Sequence, residues 1–454
     1  MKRSIGELVF AFALVPLLGA ALSIGHRVPF WEHAEVLLPM LLGAGAAWIV
    51  AILLAVSGRG DWKLVVIGAC LLRVLGLGGF PDLSDDIHRY VWEGELIAGG
   101  TSPYAFAPSA AELAAERAVL PEVYRAMNNT DISAAYPPLT QYANAAVVAL
   151  ARAIGAEPIG ALRCFFALCD LLVLIPLALL LKRAGRSPAL LVVWAWCPLV
   201  TLEFSGSGHF DSLGILLLLS ALALCASTAA RAFGWACLSA AIVVKYLPVV
   251  ALPFVALGRP MDSKRLLGVA STYVAVAVGA ALFFVPILFL RGGSSGWFAG
   301  LGEYGLRWQS GGWVYSALEP LFDRFFENDE SLLDARRLSR LTLGLVWLAV
   351  GIRVWRRGYD PVRATGILLA TFLVLTPTLH PWYVTWILPF VALRPHASWI
   401  WLAATIPGVY AGVTRWKLEG EWGIPFEMQL LIAVPFFLFL LYELRAEALA
   451  SRTP

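Results

Sequence analysis

The feature that most constrains this chain is the recurrence of apolar runs that carry no charge. Val269–Leu290 runs for 22 residues without a charged side chain, and Leu171–Leu181 and Leu213–Ala226 repeat the pattern at shorter length. About 20 apolar residues in helical form cross the hydrocarbon core of a bilayer. Strands of a membrane barrel alternate apolar with polar residues, and that alternation is absent. The chain is 59% hydrophobic and 14% charged, with a mean hydropathy of +0.75. A soluble domain is nearer to about 45–50% apolar and about 25% charged, so polar surface is too scarce to coat a water-soluble fold. The expectation is an all-α, polytopic transmembrane helical protein.

Apolar windows lie near 8–25, 36–56, 64–80, 137–154, 164–181, 188–204, 212–230, 232–257, 266–290, 338–355, 362–378, 382–394, 398–413 and 427–443, which predicts roughly 12–14 spans. The first, after Lys2 and Arg3, reads as an uncleaved helix rather than a secretory signal. Loops rich in Lys and Arg stay on the cytoplasmic side. Lys2 and Arg3, Arg59 and Lys63, Arg259 with Lys264 and Arg265, the Arg353–Arg363 cluster, and Arg445 with Arg452 all fall on one side of this count. Two long segments, 81–136 and 291–337, then face the other, extracytoplasmic side. The chain thus divides into N-terminal helices (1–80), a first outer loop (81–136), a transmembrane core (137–290), a second outer loop (291–337) and C-terminal helices (338–454). One loop dissents: Lys182, Arg183 and Arg186 land outside.

The net charge of +3 and the absence of a long basic tract give no nucleic-acid signal. Six cysteines (Cys70, Cys164, Cys169, Cys197, Cys225, Cys237) lack CxxC spacing and read as small packing residues. The outer loops are too long and too aromatic for linkers.

The first outer loop opens with Asp82-Leu83-Ser84-Asp85-Asp86-Ile87-His88-Arg89-Tyr90-Val91-Trp92-Glu93-Gly94. Ser84 suits an N-cap, and acids suit the first turn of a helix. Ile87, Tyr90, Val91 and Gly94 share a face, predicting a helix lying along the membrane surface. Asp85 and Asp86 read either as caps or as a general base beside His88 and Arg89. Adjacent carboxylates repel, so a neighbouring cation is needed to keep both ionised.

Ionisable residues inside apolar windows are functional candidates, because burying charge in hydrocarbon costs several kcal/mol. Arg73, Asp170, Glu203, His209, Asp211 and Lys245 qualify. The plain alternative is internal pairing, Asp170 with Arg163 or Lys245 with Glu203. Lys245 precedes Pro248, whose missing N–H frees a carbonyl, and an ammonium there suits a phosphate. In Thr376-Pro377-Thr378-Leu379-His380-Pro381-Trp382-Tyr383, two prolines bracket His380 and forbid continuous helix. Backbone of that kind is tolerated at membrane depth where it is buried or lines a cavity. Tyr136-Pro137-Pro138 ends the first outer loop, as paired prolines at a helix start do.

In this order the motifs resemble the GT-C superfamily of membrane glycosyltransferases, in particular the polyprenol-phosphate-mannose-dependent α-mannosyltransferases. The resemblance rests on Asp85-Asp86-x-x-Arg89-Tyr90-x-Trp92-Glu93-Gly94, Ser102-Pro103-Tyr104, Tyr136-Pro137-Pro138, Cys169-Asp170, Trp196-Cys197-Pro198, Gly206-Ser207-Gly208-His209-Phe210-Asp211, Lys245-Tyr246-Leu247-Pro248 and His380-Pro381-Trp382-Tyr383. It implies an inverting hexosyltransferase, mannose foremost, using a polyprenyl-phosphate-linked sugar at the extracytoplasmic face of the plasma membrane, the bacterial inner membrane in such a reading. The implied base is Asp85 or Asp86, with Asp86 favoured because it leads into the helix, and His380 lies near the reaction centre. His88, Arg89, Lys245 and Tyr383 are candidates for the donor and its phosphate. Glu93, Tyr136, Gln141, His209 and Asp211 are candidates for the acceptor or the pocket. The acceptor is a glycan, glycolipid or protein, and no cofactor is expected. A divalent metal on Asp85, Asp86 and Glu93 is poorly supported by carboxylates alone.

Two features depart from the pattern. Three spans precede the acidic loop where relatives commonly have one, and the span count puts His209 and Asp211 near the inner face or mid-membrane. A competing reading is a transporter or flippase using Lys245, Asp170 and Glu203 as midplane groups. A structural envelope subunit would leave Asp85, Asp86 and His380 without a task.

Overall fold

The computed structural model describes residues 5–24, 29–79, 82–257, 263–325 and 331–450. Lys2, Arg3, Arg259 and Arg452 lie outside the described residues, as do the side chains of Lys264 and Arg265. Helices account for nearly all the ordered structure, and the described residues form no strand beyond isolated bridges. Among the described residues, six helices are long and apolar enough to cross a membrane: Ile5–Ser23, Ala34–Val56, Pro158–Arg183, Leu267–Phe289, Asp334–Arg357 and Phe426–Ala450. The chain is a polytopic all-α membrane protein.

Other apolar windows form shorter or broken helices, and proline is the physical cause. Pro188–Ala195 and Pro198–Gly206 meet at a 53° bend. Pro198 has no N–H to donate and forces Cys197 into extended backbone (φ −62°, ψ 120°). The 232–257 window likewise divides into Arg231–Ile242 and Leu252–Leu257, with a tighter turn at Leu247–Ala251 that contains Pro248. Two helices flank the proline-bracketed histidine, one ending at Leu375 and the next starting at Pro381, so the expected break is present.

The chain divides into two compact units. The first comprises Met1–Ser84, Phe166–Ser212 and Pro381–Pro454. Its interior holds Trp48, Trp194, Trp196 and Trp386, each fully buried. Arg73 and Asp170 form a two-point ion pair there, Nε–Oδ2 at 2.6 Å and Nη2–Oδ1 at 2.9 Å. Sequence alone offers Arg163, seven residues away on the same helix, as a partner for Asp170, whereas the partner found lies 97 positions away. Arg73 wins because its fork also reaches the Ala195 carbonyl while the Asp170 carbonyl accepts from Trp194 Nε1 at 3.1 Å.

The second unit comprises Asp85–Phe165 and Leu213–His380. Helix Asp86–Ala98 packs along helix Pro138–Ala153, with Gly94 against the backbone of Asn144, where a methyl group would crowd. Ile87, Tyr90, Val91 and Gly94 are all buried. The face expected to lie on the membrane surface is therefore turned into protein, because a close-packed helix partner removes more apolar area than an interface does. The second outer loop joins the same unit. Ser102 N donates to Arg291 O at 2.9 Å, and Arg291 N donates to Gly100 O at 2.8 Å. A methyl at Gly312 would overlap the carbonyls of Thr376 and Pro377, so only glycine allows that approach.

Candidate functional site

Helix Asp86–Ala98 begins one residue later than Ser84 as N-cap predicts: Asp85 is the N-cap, with helical backbone (φ −84°, ψ −1°). Its carboxylate makes no capping bond, which weakens the view that the acidic pair exists to cap the helix. Asp85, Asp86 and His88 are all half-buried. Burial holds the His88 imidazole below its ordinary range, against the opposing pull of Asp85 and Glu157.

One turn further in, the side chains serve the fold. Arg89 Nη1 lies 3.3 Å from Glu93 Oε1 and donates to Ile132 O at 3.0 Å. Its Nη2 donates to Asn128 O at 3.2 Å and to Asn129 O at 2.6 Å. Asn129 has a φ of 49°, the one positive φ outside glycine among the described residues, and Arg89 clamps that turn. Glu93 accepts from Gln141 Nε2 at 2.7 Å. Burial raises the Glu93 carboxyl above its ordinary range; Arg89 and Gln141 oppose that rise and Asp86 adds to it. Tyr136 presents its carbonyl to Tyr104 Oη at 2.7 Å and its ring edge-on to Tyr90.

The same helix that carries Gln141 reaches the lysine motif. Leu139 N donates to Val243 O at 2.9 Å, and Thr140 Oγ1 donates to Val244 O at 2.6 Å. Lys245 follows directly, half-buried. The non-helical stretch before His380 is held by the second outer loop: Leu379 N donates to Ser310 O at 2.7 Å and Thr378 Oγ1 to Trp308 O at 2.9 Å. Burial, reinforced by the charge of Lys245, pushes the His380 imidazole well below its ordinary range. The second unit thus contains Asp85, Asp86, His88, Arg89, Glu93, Tyr136, Gln141, Lys245 and His380.

His209, Asp211 and Tyr383 belong to the first unit. The His209 ring stacks on Trp382 with centroids 3.9 Å apart and lies 3.4 Å from Glu203. Asp211 Oδ1 accepts from Trp386 Nε1 at 2.6 Å, and Glu203 accepts from Tyr410 Oη at 2.8 Å. Asp170 and Glu203, two of the three groups a transporter reading needs, are thus engaged by Arg73 and by Tyr410 with His209. Glu203 lies in a π-helical stretch, Thr201–Gly206, of the kind that interrupts helices at specialised positions.

Among the described residues no three His, Cys, Asp or Glu side chains come together as a metal site. Sequence reasoning missed Thr140, Asn144 and Arg340. Arg340 had a usable signal, being a charge inside the 338–355 window; Thr140 and Asn144 had none.

A polytopic helical membrane protein with these motifs in this order is a membrane glycosyltransferase. Residues 76–259 match the family described as Alpha-(1->6)-mannopyranosyltransferase, N-terminal domain, and residues 312–424 match the MptB C-terminal domain. The chain belongs to this mannosyltransferase family. No curated relative and no solved structure is similar enough to add to that match.

Proposed function

We propose that this chain moves mannose from a polyprenyl-phosphate-linked donor to a glycan, glycolipid or protein acceptor on the extracytoplasmic face. The observation that carries the reading is that one compact unit holds the acidic helix start, Lys245 and His380, with the Thr140–Val244 bond fastening the helix packed on the acidic one to the residue before Lys245.

In this scheme Asp86, or Asp85, takes the proton of the acceptor hydroxyl as its oxygen bonds the anomeric carbon. The bond from that carbon to the phosphate oxygen breaks on the opposite face, and its electron pair leaves with the polyprenyl phosphate. Displacement of this kind inverts the centre, so an α-linked product requires a β-linked donor. Lys245 stabilises the departing phosphate. His380, held neutral, offers one N–H without adding charge beside Lys245. Arg89 and Glu93 set the tilt of the acidic helix, and Gln141 and Tyr136 fix it to its neighbour. No step is assigned to a metal or another cofactor.

The sidedness reading gains support from one ion pair. Arg152, at the end of helix Pro138–Ala153, pairs with Glu95 of helix Asp86–Ala98. We read the Pro138–Ala153 helix as staying on the outer side with its partner rather than crossing. Removing that crossing moves Lys182, Arg183 and Arg186 to the cytoplasmic side, where positive loops belong. The bent Pro188–Gly206 pair then crosses outward and carries His209 and Asp211 to the outer side, in keeping with the stack on Trp382. The broken 231–257 segment enters and returns to the cytoplasmic side.

The test is donor identity. Purified protein given polyprenyl-phosphate-[14C]mannose and an oligomannoside acceptor should yield a labelled, elongated, α-linked product, and a nucleotide-activated mannose should yield none. Transfer from the nucleotide sugar alone would reject the donor assignment.

A further inference from the structure

Arg340 lies near the outer end of helix Ser331–Arg357, and its surroundings differ from those of the cations beside it. Arg336, one turn earlier, pairs with Glu319 at 3.1 Å, and Arg337 pairs with Asp334 at 3.4 Å. Arg340 has no carboxylate partner among the described residues. Its guanidinium carbon sits 5.2 Å from the centre of the Tyr315 ring, and Nη2 donates to Trp308 O at 3.3 Å. Nε and Nη1 are both shielded from solvent and have no hydrogen-bond partner.

A guanidinium stays charged at any physiological pH and carries five donors. Leaving buried donors of a charged group unmade is among the larger penalties a fold can carry. Water satisfies the donors but not the charge; an anion does both. Glu319, the partner of Arg336, is already engaged a second time, since it also accepts from Gln309 Nε2 at 3.0 Å. The Trp308 carbonyl that receives Arg340 also receives Thr378 Oγ1 at 2.9 Å, so one backbone oxygen ties this cation to the stretch that ends at His380.

We infer that Arg340 is a phosphate-binding residue for the lipid-linked donor, aiming Nε and Nη1 at oxygens of a phosphate ester while the Tyr315 ring and the Trp308 carbonyl hold its orientation. The inference rests on the donor reading above and adds to it a second cation. Lys245 supplies a point charge, and Arg340 supplies directed hydrogen bonds.

The experiment uses the full-length protein with farnesyl phosphate as the probe, and farnesol and inorganic phosphate as controls. Wild type should be protected against thermal unfolding by farnesyl phosphate, not by farnesol, and only weakly by inorganic phosphate. Arg340→Gln should weaken farnesyl phosphate binding and raise the donor KM by at least about tenfold, as loss of a charge-assisted contact does, with the unliganded Tm near that of wild type. Arg340→Lys should fall between the two and provides the same readouts if Arg340→Gln folds poorly. Equal farnesyl phosphate affinity in wild type and both variants overturns the inference. So does a drop in kcat at unchanged KM, which marks a purely structural arginine. Protection by farnesol or by inorganic phosphate equal to that by farnesyl phosphate also overturns it, as a tail site or a free-anion site. If wild type ignores farnesyl phosphate altogether, the donor reading itself falls and takes this inference with it.

Discussion

Thr140 donates its hydroxyl proton to the carbonyl oxygen of Val244 at 2.6 Å, and both groups are fully buried. That bond fastens the helix beside the acidic motif to the residue immediately before Lys245. The two halves of the proposed site are therefore set relative to each other by a neutral contact outside every charged motif. Thr140→Val keeps the shape and removes the donor, leaving a buried carbonyl with one bond fewer. We expect a stability loss of about 1–3 kcal/mol and a raised donor KM, measured by thermal unfolding and by initial rates over a donor series.

Arg89 distinguishes two roles. Its donors meet three backbone carbonyls and Glu93, which leaves little for a phosphate. Arg89→Lys removes the planar fork but keeps the charge. Tm should fall by an amount corresponding to about 1–3 kcal/mol, with the donor KM of the surviving folded protein unchanged. A KM rise without loss of Tm would return Arg89 to the phosphate.

The Arg73–Asp170 pair is a structural bond within the first unit. Breaking a buried pair from one side leaves an uncompensated charge, so Arg73→Leu or Asp170→Asn should each destabilise by about 3–5 kcal/mol. Removing both charges together, as Arg73→Met with Asp170→Leu, should recover most of that loss. Detergent-resistant yield and unfolding temperature measure it.

The pH dependence of stability has a definite sign at Glu93. Its carboxyl is raised above the ordinary value of 4.5 in the folded protein, chiefly by burial. The folded state therefore holds that proton where the unfolded chain has released it. Its contribution is complete below the unfolded pKa and is lost as pH rises through the folded one. The Tm of wild type should decline above about pH 4.5 relative to Glu93→Gln, which lacks the group. Parallel curves for the two proteins would show that Glu93 is ionised throughout.

His380 gives a matching prediction for catalysis. Burial and Lys245 hold it neutral, so protonating it does not shape the rate near neutral pH. His380→Gln should lower kcat while leaving the acidic limb of the pH–rate profile where it is in wild type. Movement of that limb would mean that His380 titrates in the working range.

How much of this was readable from sequence depends on whether the signal is local. Apolar runs such as Val269–Leu290 gave the fold class because hydrocarbon imposes its length on the helix itself. Pro377 and Pro381 announced the break around His380 for an equally local reason. Helix Pro138–Ala153 shows the limit. Its alanines and valines read as a crossing, whereas its packing along helix Asp86–Ala98, with Gly94 against Asn144, Gln141 on Glu93 and Arg152 on Glu95, is visible in tertiary structure alone. In the topology proposed above, that one helix changes the assignment of every loop up to 231–257, including the side of His209. The choice of Arg73 over Arg163 for Asp170 is a tertiary outcome that no spacing encodes. Arg340 was legible by the rule applied to Lys245, but among the many arginines near the second outer loop only structure separates the paired from the unpaired.

The most direct test of the account is mannosyl transfer in membranes bearing wild type, Asp85→Asn or Asp86→Asn, with the lipid-linked mannose donor and the products read by mass spectrometry. The account predicts equal protein yield in all three and a loss of about 10²–10⁴-fold in transfer for the residue that acts as base, Asp86 first. Wild-type rates in both single variants would contradict it.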